Sequence, residues 1–308
     1  MGLKSVKEVR EKYCKQNEQF DSCSVCPQWN IKDHCTLLKQ DAWFCSLNGI
    51  MVNDSMCRDA CFDEEIAKCK DRPQNKQLAN MKKSIEYSNK SWNPYSGCNH
   101  IEKGICSVGT RCWAYRMANR LKGRYGYNKY HPFRPTLHYD KLKQPLKWKK
   151  PRMIASCFMG DIACCPDFYL YEIMKVVRHC PQHIFYFLTK DPLEVGRKEV
   201  HFPDNAYIGV TVNRQNDVHR IVEMNKIDAK VKYVSFEPVY EHITFNPNSL
   251  DWIIIGSQTN PTLHPDHDDV QHILNLADEC NVPVFMKPNL EWNGERRMEL
   301  PKVGDIDE

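Results

Sequence analysis

The stretch "PQHIFYFLTKDP" (residues 181–192) decides the fold class. Its centre, residues 183–188, is a nearly continuous run of aromatic and aliphatic side chains, without the polar alternation of a half-exposed strand. Such runs are typical of strands in parallel sheets, which are covered on both faces. The polar residues 189–191 and Pro192 then end the run.

Similar runs recur on both sides of this stretch and alternate with amphipathic segments. The pattern predicts further strands at 152–157, 206–212, 231–236, 251–256 and 282–286, with a possible extra strand at 84–88, and helices at 166–180, 214–225 and 268–280. Alternating strands and helices indicate an α/β protein with a parallel sheet. A full or partial parallel β/α barrel is the favoured closure, and an open doubly wound sheet is the alternative.

Each predicted strand is followed by polar or charged residues or by glycine. In parallel α/β folds the carboxyl ends of the strands meet at one edge, where ligands bind. The sequence therefore predicts a polar active-site mouth at that edge, built from Gly160, Asp161, Thr189, Lys190, Thr211, Asn213, Ser235, Glu237, Gly256, Ser257, Gln258 and Lys287.

Composition narrows the class of protein. The 308 residues fit one large or two modest domains, and a net charge of +4 permits a nucleic-acid or nucleotide partner. No apolar run is long enough to span a membrane, and the N-terminal residues do not form a secretory signal, so a cytoplasmic location is expected. Sixteen cysteines in a reducing compartment point to metal or redox chemistry.

Half of these cysteines lie within residues 1–80, which have few strand-like runs and end in a polar segment, 69–83. We predict a small cysteine-rich domain at 1–80 and a β/α barrel domain at 81–308. The first domain is expected to hold zinc or an auxiliary iron–sulfur cluster, and free thiols in a small helical cap are the alternative. The candidate ligands are Cys14, Cys23, Cys26 and Cys35.

Three further cysteines, Cys98, Cys106 and Cys112, precede a predicted helix. Three thiolates can hold an iron–sulfur cluster and leave one iron free to bind a small molecule. Zinc is the second possibility, because a fourth ligand is available nearby, and absence of any metal is the third. The candidate fourth ligands are Cys157, Cys164 and Cys165.

Residues 141–152, "KLKQPLKWKKPR", are rich in lysine and arginine and include Trp148. A solvated surface turn is one interpretation. The other is contact with a nucleic-acid backbone, with Trp148 stacking on a base.

Several motifs occur in one order between residues 84 and 287: "SIEYSNKSWNPYSGC", "CWAYRMANRL", "PTLHYDKLKQPLKWKKPR", "FMGDI", "PQHIFYFLTKDP", "IGVTVN", "SFEPV", "DWIIIGSQT" and "VFMK". Together they resemble a family of phage- and prokaryote-borne proteins of unassigned function that is related to radical S-adenosylmethionine enzymes. The cysteine loop of that family usually ends C-x2-C-Y-A, whereas five residues separate Cys106 from Cys112 here. Residues 1–80 lie outside the resemblance.

The resemblance implies a radical-SAM-like barrel in which Cys98, Cys106 and Cys112 hold a 4Fe–4S cluster that binds S-adenosylmethionine. It further implies an electron donor, such as ferredoxin or flavodoxin, and an unidentified substrate, with a nucleotide or nucleic acid as one candidate. A non-catalytic, metal-stabilised nucleic-acid-binding protein is the alternative.

The resemblance also assigns roles at the carboxyl edge. Met159, Gly160 and Asp161 would line the amino and carboxylate end of the cofactor. Ser235, Glu237 and Gln258 would hold its ribose or the substrate. Lys190 and Lys287 would meet a carboxylate or phosphate, or pair with Asp161 and Glu237.

Overall fold

The computed structural model describes residues 87–100, 102–106, 112–259 and 261–301, together with two short strands nearer the N-terminus. The chain divides into two units, Met1–Asp71 and Arg72–Glu308, and the division lies within the polar segment 69–83. In the first unit, Cys45–Leu47 pairs antiparallel with Ile50–Val52. The four predicted N-terminal metal ligands lie outside the described residues.

The second unit is built on one parallel sheet of seven strands. These are β1 (Lys90–Trp92), β2 (Met153–Ser156), β3 (Ile184–Thr189), β4 (Ala206–Thr211), β5 (Val231–Phe236), β6 (Trp252–Ile255) and β7 (Val284–Met286). Six of them confirm the predicted strands to within two residues at each end. The extra strand expected at 84–88 is found instead as β1.

The strands lie in the sheet in the order of the chain, from β1 at one edge to β7 at the other. A doubly wound sheet requires the order to reverse, so that alternative is wrong. The sheet is also curled: the rings of Tyr186 on β3 and Trp252 on β6 lie 5.6 Å apart, although these strands would be about 14 Å apart in a flat sheet. The architecture is therefore a parallel half-barrel, which confirms the predicted partial barrel.

Alternate side chains of every strand point to the inner face of this half-barrel. Large rings fill its deep part, namely Tyr87, Tyr186, Tyr207, Tyr233, Trp252 and Phe285. The ring of Tyr233 occupies the space beside Gly209, where an added Cβ would lie 2.3 Å from ring carbons. The deep part of the half-barrel is thus a packed core.

Helices cover the outer face, where the other strand side chains, such as Phe185 and Ile208, are fully buried. The helices are α1 (Trp113–Arg120), α2 (Tyr139–Leu142), α3 (Asp167–Arg178), α4 (Pro192–Arg197), α5 (His219–Met224) and α6 (His267–Glu279). The predicted helices correspond to α3, α5 and α6. A 3-10 turn at Gln215–Asp217 occupies the start of the segment predicted as a single helix at 214–225.

The described chain also contains 3-10 turns at Pro145–Lys147 and Ile162–Cys164 and two small antiparallel ribbons. In the ribbons, Tyr95–Ser96 pairs with Thr136–Leu137, and Gln258–Thr259 pairs with Thr262–Leu263. Among the described residues, no helix is both long enough and apolar enough to cross a membrane.

Candidate functional site

The cysteine loop (residues 97–112) begins at a close contact between two backbone segments. Gly97 and Gly160 form a parallel bridge, and the Gly97 N–H donates to the carbonyl of Met159 at 2.9 Å. Gly97 has φ +94°, and an added Cβ would lie 2.4 Å from the carbonyl oxygen of Arg134. A Cβ on Gly160 would lie 2.4 Å from the Gly97 oxygen. Both glycines are therefore needed to hold Cys98 against the turn that follows β2.

Cys98 lies in a group of three potential metal ligands. The Cys98 sulfur, a ring nitrogen of His100 and the Cys164 sulfur lie within 4.8 Å of one another. The Cys98 sulfur accepts the His100 N–H at 3.3 Å, and the Cys164 thiol donates to the Asn99 side-chain oxygen at 3.0 Å. The hydrogen bond with Cys164, together with burial, raises the pKa of Cys98 far above its usual range.

Two buried polar side chains, one in this group and one beside it, have no hydrogen-bond partner among the described residues. They are His100, whose two ring nitrogens are both unpaired, and Tyr95, whose hydroxyl is unpaired. His100 is 1% exposed, and its Nδ1 lies 3.6 Å from an oxygen of Asp161. Burial and the nearby Cys165, Cys164 and Asp161 raise the pKa of Tyr95. Buried polar atoms are nearly always paired, so these two side chains indicate a site suited to a ligand.

Cys106 and Cys112 lie close to the ammonium group of Lys190. The Lys190 Nζ donates to the Cys106 sulfur at 3.5 Å. Burial raises the pKa of Cys112, which directly precedes α1, while the N–H groups of Tyr115 and Ala114 and the charge of Lys190 oppose that rise. The ammonium group at the end of β3 thus contacts the Cys106 sulfur and partly offsets the effect of burial on the pKa of Cys112.

A small apolar cluster joins the two ends of the loop. Cys98 and Cys112 both pack against it, and its buried members are Ala114, Ala118, Tyr127, Phe133 and Met159. Met159, predicted to line the cofactor, therefore contributes to packing beneath the cysteine loop.

Asp161 connects the turn after β2 with the end of β3. One oxygen accepts the Ala163 N–H at 3.0 Å and the Thr189 hydroxyl at 2.6 Å, and the other accepts the Lys190 N–H at 2.8 Å. The carboxylate thus positions Lys190 beside Cys106. All three donors belong to the protein itself. Asp161 therefore fixes the turn after β2 against the end of β3.

On the opposite side of the carboxyl edge, Glu237 and Lys287 form an ion pair, with the Lys287 Nζ 2.5 Å from a Glu237 oxygen. The Ser235 hydroxyl donates to the other oxygen at 3.0 Å. These residues extend from β5 and β7, with β6 between them. Gly256 at the end of β6 allows the contact, since an added Cβ would lie 2.9 Å from Lys287 Cδ and 3.3 Å from Glu237 Cγ. Of the two pairings suggested for the lysines, the structure contains the Lys287–Glu237 pair.

Gln258 lies further along the same side. Its side-chain oxygen accepts the Tyr240 hydroxyl at 2.6 Å, and its amide nitrogen donates to the Pro261 carbonyl at 2.8 Å. Both polar ends of Gln258 are therefore engaged within the ribbon region that follows β6.

A cavity of about 190 Å³ opens on the inner face between β1 and β7, the two edges of the half-barrel. Its walls combine rings with polar groups: Tyr87, Ser88, Ser91, Asn93, Trp113, Ala155, Phe158, Phe285, Lys287 and Pro288. Trp113 directly follows Cys112, so this cavity connects the cysteine loop with the predicted site residue Lys287. Its volume is below the usual range for drug-sized ligands, and suits part of a small molecule.

Sequence reasoning did not identify His100 or Trp113 as site residues. The pattern Cys98-x-His100 places two potential metal ligands close together, and it is the signal that could have identified the histidine. In the predicted nucleic-acid contact, Trp148 has the Lys90 ammonium 5.3 Å and the Arg152 guanidinium 5.7 Å from its ring centre. Contacts within the protein therefore already use this ring.

Comparison with known families gives one match. The profile of a family described as "Protein of unknown function (DUF5131)" matches residues 82–305, which include all seven strands and the cysteine loop. No curated protein and no solved structure matches the chain.

Proposed function

We propose that this chain, which belongs to the DUF5131 family, is an iron–sulfur enzyme that reductively cleaves S-adenosylmethionine to start radical chemistry. The observation that carries the proposal is the common neighbourhood of three cysteines beside the carboxyl edge of a parallel half-barrel. Cys106 and Cys112 both interact with Lys190, and Cys98 and Cys112 pack against the same apolar cluster.

The donor set suits a 4Fe–4S cluster. Cys98, Cys106 and Cys112 are half-buried thiols, and three thiolates leave one iron of such a cluster without a protein ligand. When bound, the cluster supplies an electron that cleaves S-adenosylmethionine to methionine and a 5′-deoxyadenosyl radical. The hydrogen bond with Cys164, together with burial, raises the pKa of Cys98, and burial raises the pKa of Cys112. Uptake of metal would therefore release protons from these thiols.

The surrounding residues would bind and orient S-adenosylmethionine beside the three cysteines. Lys190, fixed by Asp161, offsets the negative charge of the thiolates, and it is available to meet a carboxylate. Trp113 and Phe158 supply apolar walls to the cavity beside the cysteine loop. The Glu237–Lys287 pair, with Ser235, offers hydrogen-bond donors and acceptors to ribose hydroxyls or to the substrate.

A second candidate is a non-catalytic protein stabilised by zinc. The observation that favours it is the Cys98–His100–Cys164 group, a set of sulfur and nitrogen ligands within 4.8 Å that suits tetrahedral zinc. Both candidates use Cys98, so they exclude each other at this position. They differ in the other ligands, which are Cys106 and Cys112 for the cluster and His100 and Cys164 for zinc.

The test is the formation of 5′-deoxyadenosine by anaerobically purified protein with dithionite and S-adenosylmethionine. We expect slow turnover by the wild type and none by Cys106→Ala. Cys280→Ala is the matched control. Cys280 directly follows α6 and is also a half-buried thiol, and its sulfur donates to the side-chain oxygen of Asn248. This variant should behave as wild type. A protein with its full iron content that forms no 5′-deoxyadenosine would contradict the proposal.

A further inference from the structure

Residues 113–134, here called the basic segment, carry a local excess of positive charge. The chain has no aspartate or glutamate between residues 103 and 139, although it contains 39 acidic residues against 43 Lys and Arg. The cations of the basic segment are Arg116, Arg120, Lys122, Arg124, Lys129 and Arg134. All except the half-buried Arg116 are exposed, and none of them forms an ion pair with any residue that the structure describes.

Large rings lie among these cations and face the solvent. Tyr125 is 72% exposed, Tyr130 is 78% exposed, and Trp113, at the start of the segment, is 51% exposed. Isolated exposed rings are unremarkable, but three of them interleaved with unpaired cations match the composition of surfaces that bind nucleic acids.

The two tyrosines are held on tight turns. Tyr125 has φ +52°, a value that tyrosine rarely adopts, and it lies between Gly123 at φ +70° and Gly126 at φ +83°. The Gly123 N–H donates to the Tyr127 carbonyl at 2.9 Å and closes the turn. Uncommon backbone conformations of this kind persist where the surrounding structure enforces them, and they concentrate at functional sites.

The second turn is closed by a side chain. The Asn128 oxygen accepts the N–H groups of Tyr130 at 2.7 Å and His131 at 2.9 Å. The Lys129 ammonium lies 5.7 Å from the centre of the Tyr130 ring, so a cation and a ring are presented together. Both exposed rings are thus on ordered backbone, which reduces the entropy lost when they bind a partner.

We propose that the basic segment binds single-stranded nucleic acid, with phosphates at the exposed cations and unpaired bases stacked on Tyr125 and Tyr130. Single strands fit better than a duplex because only unpaired bases offer their faces to the rings. Helix α1 links this surface to the cavity, since it begins at Trp113 in the cavity wall and ends at Arg120 in the basic segment. The inference goes beyond the proposed function, because binding at this surface requires neither the cluster nor S-adenosylmethionine.

The test is fluorescence anisotropy of the full chain with labelled single-stranded oligomers of about 15 nucleotides, both DNA and RNA, titrated across salt concentrations. One variant combines Lys122→Ala, Lys129→Ala and Arg134→Ala. Its matched control combines Lys147→Ala, Lys149→Ala and Lys150→Ala, which removes the same charge from exposed positions elsewhere. The first variant should lower the slope of log affinity against log salt by about 2, and the control should leave it nearly unchanged.

The rings are tested separately from the charges. Tyr125→Asn, a residue that accepts the left-handed backbone, and Tyr130→Ala should each weaken binding about tenfold without changing the salt slope. Tyr125→Phe and Tyr130→Phe keep the rings and should bind as wild type. No binding by the wild type at low salt, equal losses in the two triple variants, or tighter binding to duplex than to single strands would each overturn the proposal.

Discussion

The deep part of the inner face and its carboxyl edge differ in how their side chains are held. In the deep part, rings from five of the strands and Tyr87 contact one another, for example Trp252 with Tyr186, Tyr233 and Phe285. At the edge, charged groups are paired locally, as in Asp161 with the Lys190 N–H and Glu237 with Lys287. Stability therefore depends mainly on the deep part, and the edge can vary in chemistry without loss of the fold.

The largest expected effect is at the centre of the deep part. Trp252 is fully buried among rings, and its indole N–H donates to the Glu299 carbonyl at 2.8 Å. Trp252→Ala should lower the free energy of unfolding by about 3–5 kcal/mol, because it leaves a cavity and an unpaired carbonyl. Denaturant titration measures this, and a loss under about 1 kcal/mol would mean that the ring layer is not the main source of stability.

A change of pH should distinguish the contributions of the two regions to the free energy of unfolding, because the tyrosines of the deep part do not titrate in acid. His138 supports the start of the cysteine loop through a 2.7 Å hydrogen bond between its Nε2 and the Ser96 hydroxyl. Burial, followed by the charge of Lys141, lowers the pKa of His138 from 6.5 to about 4.

The unfolded chain binds this proton from about pH 6.5 downward, whereas the folded chain resists it until about pH 4. The free energy of unfolding should therefore fall by about 3 kcal/mol as the pH decreases through that window. Comparing urea unfolding of the wild type and His138→Gln between pH 7 and 4 isolates the contribution of His138. Identical pH dependence in the two proteins would contradict the assignment.

Alanine substitutions at Gly209, in the deep part, and at Gly256, at the edge, compare the two regions directly. The substitution at Gly209 should lower the free energy of unfolding more. Gly209 faces the Tyr233 ring, which is fixed by a 2.9 Å hydrogen bond from its hydroxyl to the Phe187 carbonyl. Gly209→Ala should cost about 1–3 kcal/mol, because the ring cannot move aside. The control is Gly196→Ala in α4, where the nearest side-chain atom is 3.8 Å away and alanine should be neutral or stabilising.

The smallest effect on stability is expected at the edge glycine. A methyl group on Gly256 would meet the side chains of Lys287, Asn289 and Glu237, and its nearest contact, with the long side chain of Lys287, can be relieved by movement of that chain. Gly256→Ala should therefore cost less than about 1 kcal/mol in unfolding, since the ion pair is partly exposed. If the pair orients a ligand, the rate of 5′-deoxyadenosine formation should nevertheless fall about tenfold. If Gly256→Ala lost more stability than Gly209→Ala, the claim that stability depends mainly on the deep part would be contradicted.

The sequence was sufficient to predict the fold because buried parallel strands are apolar on both faces. Runs such as 183–188 and 231–236 therefore give strong signals, and six of the seven strands were located to within two residues. β1 was displaced from its predicted position, since its three residues, "KSW", include two exposed side chains and lack an apolar run. The helix expected at 214–225 begins with a tighter turn, in which the Asp217 carboxylate accepts the N–H groups of Asn213 and Arg214.

The site was less predictable, because its contacts join residues that are distant in the chain. The sequence identified the three loop cysteines and named Cys164 among three candidate fourth ligands, but it could not single out Cys164 as the one beside Cys98 or indicate that Lys190 reaches Cys106. It also could not distinguish the two basic stretches. Trp148 is covered by Lys90 and Arg152, whereas Tyr125 and Tyr130 are exposed by turns whose geometry depends on Gly123, Gly126 and Asn128.

The most direct test of the central claim is the metal content of Cys106→Ala compared with that of Cys164→Ala, both purified without oxygen. If Cys98, Cys106 and Cys112 hold a 4Fe–4S cluster, Cys106→Ala should lose about four iron atoms per chain relative to wild type. Cys164→Ala should keep that iron and the brown absorption. Zinc that is retained in Cys106→Ala and lost in Cys164→Ala would contradict the account and establish Cys98, His100 and Cys164 as the metal site.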